Sequence, residues 1–228
     1  MSSNPPRYDM YLAIHKALRA LMAATLDAVG RVDCDDAGEV HAALAQVREL
    51  LHICEQHLEH ENRFVHPAME QRRPGSSARI ADEHIEHLCE IDTLRRATES
   101  AADCVVAERH SAVLQLYRQL AHFVAENFIH MDIEEREHNA VLWSAYSDAE
   151  LQAIEGALIA SIPPADMAVI ARWMLAHNNH QFRVAMLGGM RAHAPAEVFE
   201  GMLGIARACL GERDWGKLCV ALELARAA

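Results

Sequence analysis

Apolar residues return every three or four positions along four long stretches of the chain, the period of an amphipathic helix. The first stretch runs from about Tyr8 to Val29, with Leu12, His15, Leu18 and Met22 at helical spacing and Gly30 as its stop. The second runs from about Ala37 to Met69, with Pro67 near its end and Pro74-Gly75 closing it. A third begins after Ser76-Ser77 and continues to about Asp103, its stripe marked by Ile80, Leu88 and Ile91. The fourth takes Val105 to Ala145, with Leu116, Leu120, Phe123 and Val141 facing inward. No Gly or Pro lies between Gly75 and Gly156, so the third and fourth stretches share a short break, placed near Asp103-Cys104. Four long helices with short links predict an all-α, antiparallel up-down-up-down four-helix bundle over residues 1–146.

Residues 147–228 have a different character. Ser147-Asp-Ala-Glu150 is a capping box that opens a helix to about Ile162, and Pro163-Pro164 starts another through Trp173 and Met174. Asn178 to Met190, Pro195 to Leu210 and Arg213 to Ala225 read as three more short amphipathic helices. This part is expected to be a helical extension packed on the bundle.

Composition narrows the function classes. The formal charge of −12 excludes nucleic acid and anionic membranes as expected partners, because phosphates would be repelled. No run of 18 apolar residues occurs, and the opening Met-Ser-Ser-Asn-Pro-Pro-Arg-Tyr lacks a basic-then-apolar leader. Six cysteines (34, 54, 89, 104, 209 and 219) are scattered without a C-x-x-C pair, the usage of a reducing cytoplasm where most are small core residues. A cytoplasmic protein is the expectation.

The 15 histidines change the picture further, since 12 of them lie in the first 146 residues and several share the apolar phase. The second helix contains His57-Leu-Glu-His-Glu61 and the fourth contains His130-Met-Asp-Ile-Glu134. In each, His and Glu are four apart on one face, with Cβ atoms about 5–6 Å apart. At about 100° per residue, Cys54, His57, Glu61, Phe64 and Ala68 share one stripe, as do Phe123, Glu126, His130, Glu134 and Val141. A carboxylate buried beside an imidazole is costly unless it is paired or on a metal. The first and third helices each add one histidine to an apolar stripe: His15 between Leu12 and Leu18, and His84 among Ile80, Leu88 and Ile91. The arrangement therefore repeats, each half of the bundle supplying two imidazoles and one carboxylate. Four imidazoles and two carboxylates are too many for one structural zinc and suit two metals bridged by both carboxylates. Donors without thiolate fit iron or manganese, and zinc also accepts these ligand types.

The ordered set His15, His57-x-x-x-Glu61, His84 and His130-x-x-x-Glu134 resembles the hemerythrin-like (HHE cation-binding) family. "HLEHENRFVHPAME" is similar to its helix-B signature and "DEHIEHLCEIDTL" to its helix-C Glu-His motif, and the resemblance covers about residues 8 to 146. It implies an antiparallel bundle around two non-haem, carboxylate-bridged iron ions. Two features depart from the oxygen-carrying members: the residue four after His84 is Leu88, with the next histidine at His87, and the acid five after His130 is Glu135. Glu135 is turned about 140° from His130, so Glu134 is the assigned ligand.

The remaining groups get lesser roles. His87, about 60° from His84, is a fifth imidazole or a group supporting the ligands, and His60, likewise about 60° from His57, is expected to support the ligands or sit at the bundle edge rather than to bind metal. Glu126 is expected to hydrogen-bond a ligand, while His122 is exposed or caps the core. His41, His52, His66, His110 and His138 are placed at the surface or the bundle ends, and Cys54 lines the site as a small core residue. The expected function is binding or sensing of O2, peroxide or NO at a di-iron centre. Competing readings are a di-iron redox enzyme, an iron-centre repair or iron-handling protein, and a regulatory bundle with a structural metal. A sensor's output would need a protein partner or a homodimer, formed through the C-terminal helices.

Overall fold

The computed structural model of the chain describes residues 7–224, and among these the backbone is helical with no strand. Helix α1 spans Leu12–Arg31. It begins later than Tyr8 because the Asp9 carboxylate accepts the amides of Tyr11 and Leu12, at 2.9 and 3.0 Å, and starts the helix there. Helix α2, Ala37–His60, is capped by Asp36, whose Oδ1 accepts from the Gly38 and Glu39 amides. A widened π turn over Glu61–Val65 then leads without interruption into α3, His66–Arg72.

The chain reverses at Gly75, whose φ of 85° suits a residue without a Cβ. Glu70 holds this turn: its carboxylate accepts the Gly75 and Ser77 amides and the Ser77 hydroxyl. Helix α4 follows over Ala78–Asp103, and the expected short break leads to α5, Val106–Ile133. A second π turn, Glu134–His138, passes into α6, Asn139–Ala145. Helix α2 packs on α4, and α4 on α5. Their facing stripes bury Val47, Leu50, Ile91, Leu94, Leu116 and Leu120 almost completely, each contributing roughly 1.5–3 kcal/mol. The α4 stripe differs from expectation at one position: Leu88 is 37 % exposed, and His87 takes its inward place beside His84 and Ile91.

Helix α7, Asp148–Ser161, opens on the expected capping box, with the Glu150 carboxylate accepting the Ser147 amide and hydroxyl at 2.8 Å each. Contacts sort the chain into two compact units. One holds the described residues up to Leu12 and Leu21–Ser161, so it runs on past residue 146 to include α7. The other holds Ala13–Ala20 and the described residues from Ile162 on.

In the second unit α8, α9 and α10 span Pro164–His177, His180–His193 and Ala196–Cys209, and α11 spans Glu212–Ala221. Their equal spacing lets alternate helices pair, α8 on α10 and α9 on α11. Their core includes Ala171, Leu175, Leu187, Ala206 and Leu218. Buried Arg183 ties it together, donating to the Leu175 and Ala176 carbonyls at the end of α8 and to Asp214. The expected end of the last helix at Ala225 lies outside the described residues.

Candidate metal centre

His57 sits in the last turn of α2 and Glu61 opens the π turn that follows, with 3.2 Å between Nε2 and Oε1. The second half repeats this: His130 ends α5, Glu134 opens the next π turn, and their Nε2 and Oε1 are 3.4 Å apart. His84 comes across from α4, its Nε2 3.6 Å from Glu61 and 3.7 Å from Glu134. His15 lies on α1, one unbroken helix, and is fully buried.

These six side chains form two overlapping groups. One ligand atom each from His15, His57, Glu61 and Glu134 lie within 4.8 Å of one another, and so do those of Glu61, His84, His130 and Glu134. All six sequence-assigned residues are thus brought together, and both carboxylates belong to both groups. Glu61 and Glu134 are 2 % and 0 % exposed, so their charge has been taken out of water. The nitrogen-to-oxygen separations run from 3.2 Å, the upper end of the hydrogen-bond range, to 3.7 Å. Two donors each about 2.0–2.2 Å from one ion lie roughly 3.0–3.5 Å apart, so the two His-x-x-x-Glu pairs are also spaced to share an ion.

The outer nitrogens of two histidines are held from neighbouring turns. His130 Nδ1 donates to Glu83 Oε2 at 3.0 Å, and His84 Nδ1 donates to Asn62 Oδ1 at 2.8 Å. With the proton on Nδ1, the neutral form of each ring presents an Nε2 lone pair to the core; His84 Nε2 has no hydrogen-bond partner, and His130 Nε2 faces Glu134. Burial pushes the His130 pKa down, but the hydrogen bond and charge of Glu134, with help from Glu83, outweigh it and raise the value to about 9. Neither Glu83 nor Asn62 stood out by phase on its own helix. The signal for Glu83 was its place directly before His84.

Other assignments change. Glu126 does not support a ligand: it is exposed and lies beside the exposed His122. The buried position one residue on is Asn127, which faces His87. His87 belongs to neither group of ligand atoms; its Nδ1 is 3.5 Å from both Asn127 and Glu90, and its ring packs edge-on against His130. Burial, with His130 and His84 close by, pushes the His87 pKa down to about 4. His60 is buried, whereas His41, His52 and His110 are exposed. Glu135 is half-buried and outside both groups. Cys54 is a buried core residue whose thiol is pushed up to about 12 by burial. Cys219 is the other buried cysteine and Cys89 is exposed, so fewer cysteines are core residues than expected.

The largest correction concerns His66 and His138, expected at the surface or bundle ends but only 6 % and 2 % exposed. The π turns explain it. The His66 amide donates to the Glu61 carbonyl and the Asn139 amide to the Glu134 carbonyl, both five residues back. A phase counted at about 100° per residue fails across such a turn, and the next residues swing back toward the core. His66, Glu134 and His138 consequently form a third group with ligand atoms within 4.8 Å. The Tyr11 hydroxyl and His138 Nδ1 are hydrogen-bonded at 3.0 Å, and the His66 ring stacks on His84. The visible signal was a histidine one turn beyond each glutamate.

Among the described residues no helix is long and apolar enough to cross a membrane. The family model of the hemerythrin HHE cation-binding domain matches residues 7–142. Neither the curated proteins nor the solved structures provide a match.

Proposed function

The chain belongs to the hemerythrin HHE cation-binding domain family, and from that premise we propose that it holds two iron ions and binds or senses O2 or a related small molecule, peroxide or NO. His15 and His57 are assigned to one ion, His84 and His130 to the other, and Glu61 and Glu134 to both. The observation that carries this reading is the overlap of two four-residue groups through the same two buried carboxylates. One ion would leave a carboxylate and two imidazoles buried without purpose, at a cost of several kcal/mol for the charge alone. Imidazole and carboxylate without thiolate favour iron over a structural zinc. Bound iron would supply redox change and coordination positions for a small ligand. The protein's own part is to fix the ligands: Glu83 and Asn62 orient two imidazoles, and the packed stripes of α2, α4 and α5 keep bulk water out.

A second reading, a redox enzyme or iron-handling protein on the same centre, is favoured by His87. Outside both groups, it leaves two imidazoles per ion and more open positions than a five-histidine site.

Elemental analysis of protein expressed with iron tests the assignment. The wild type should hold two irons per chain, Glu61→Gln and Glu134→Gln one or none, and His110→Ala two. One ion or none in the wild type would overturn it. Exposure of the reduced protein to air then separates the two readings, since a stable charge-transfer band marks reversible binding and irreversible oxidation with peroxide turnover marks an enzyme.

A further inference from the structure

His15 stands in the first turn of α1, which begins at Leu12. The opening turn of a helix supports itself least, because its amides have no carbonyl behind them to accept them. Tyr11 at the N-cap makes no side-chain capping bond, and the Asp9 carboxylate accepts the amides of Tyr11 and Leu12, short of His15. A ligand on such a turn is placed well only if something else holds the turn. Ala13–Ala20 belong to the same compact unit as α8. Asn178, the C-cap of α8, is 5 % exposed, and its Nδ2 donates to the Ala13 carbonyl at 2.9 Å and to the Met174 carbonyl at 3.1 Å. We propose that Asn178 is a positioning residue for the metal centre: through the Ala13 carbonyl it fixes the turn of α1 that presents His15.

The amide is built for this contact. Both of its partners are carbonyl oxygens, which only the NH2 end can serve, so the orientation is fixed by chemistry and both donors are used. Its own anchor is firm, because Arg183 holds the next two carbonyls of α8, Leu175 and Ala176, and is itself paired with Asp214. The position also stands out along the chain. Helices α8, α9 and α10 begin at Pro164, His180 and Ala196, an even spacing, and their C-caps are Asn178, Ala194 and Leu210. An amide thus stands where the next two helices carry apolar residues, although a buried Asn has to find partners for its polar atoms. Ending a helix does not require it; reaching Ala13 does. The other two imidazoles with a known support are held differently, His84 by Asn62 and His130 by Glu83. Asn178 therefore bears on the ion assigned to His15 and His57, which gives the C-terminal helices a part in metal binding.

This role rests on the two-metal reading, and its test tells the two failures apart. Co(II) is loaded into metal-free, full-length protein in competition with a coloured chelator, which resolves the two equivalents. Asn178→Leu keeps the volume and removes both donors, using the residue that α10 carries at its C-cap. Asn178→Ala, the residue at the C-cap of α9, guards against a Leu variant that fails to fold. Asn179 caps α9 by accepting the Phe182 amide at 2.9 Å, so Asn179→Ala loosens the same junction without touching Ala13. In both Asn178 variants one equivalent should bind about tenfold more weakly, the lower end of the loss when a group that orients a metal-bound histidine is removed. It should be the equivalent that Glu83→Ala spares, while the other stays within about twofold, as independent sites do. Asn179→Ala should leave both within about twofold. Unchanged affinities in the Asn178 variants would overturn the proposal. So would equal weakening of both equivalents, or the same selective loss in Asn179→Ala, since each would reduce Asn178 to the general stability of the C-terminal helices. A wild type that binds a single equivalent would overturn the two-metal reading itself, and this role with it.

Discussion

Glu83 offers the sharpest test of how the proposed centre is held, because it touches a single one of its imidazoles, that of His130. Its carboxylate accepts from His130 Nδ1 at 3.0 Å and is itself held by Arg79 at 3.0 Å. Removing a group that orients a metal-bound histidine typically costs 10- to 100-fold in metal affinity. The Glu83 side chain is 26 % exposed, so in Glu83→Ala a water can replace part of what is lost. That places the expected effect near the lower bound, about tenfold or about 1.4 kcal/mol. Glu83→Gln keeps an acceptor but loses the charge and should fall between the variant and the wild type. Arg79, left without this partner, is well exposed and adds little. Competition with a coloured chelator during Co(II) loading resolves the two equivalents. The weaker one should lose tenfold while the other, on His15 and His57, changes by less than threefold. If neither equivalent moved, the hydrogen bond would be incidental to binding. If both weakened equally, His130 would not be confined to one ion.

Arg183→Met should destabilise the C-terminal unit by roughly 2–3 kcal/mol, because it leaves the Leu175 and Ala176 carbonyls without their buried donor; urea unfolding followed by Trp fluorescence measures it, and a loss under 0.5 kcal/mol would contradict the assignment. In metal-free protein the raised pKa of His130 gives a pH dependence. The folded value, about 9, lies above the ordinary imidazole value of about 6.5, so this stabilisation is fully present below pH ~6.5 and is lost as pH rises through about 9. Thermal melts of metal-free wild type and His130→Gln should therefore converge as pH rises from about 6 to 9; parallel curves would show that His130 does not hold its proton.

Much of this protein is decided locally and can be read from residue order. Helix boundaries came from Pro74-Gly75 and the Ser147–Glu150 box, each of which acts on backbone groups within a few positions of itself. The His-x-x-x-Glu pairs were legible for the same reason, since a regular helical turn sets the face they share. His15 and His84 were legible because polar residues on apolar stripes must be buried with the stripe. Other features depend on groups that residue order does not bring together. Glu83 and Asn62 matter because helix packing sets their side chains against His130 and His84. Glu126 shares the His130 stripe by phase yet is exposed, and Asn127 takes the inward position beside His87. His66 and His138 depend on the π turns at Glu61 and Glu134. Each of those turns trades a regular i to i−4 hydrogen bond for one five residues back, and no local propensity announces the exchange. The phase of the last histidines was therefore legible only in the folded chain, where both turns are seen.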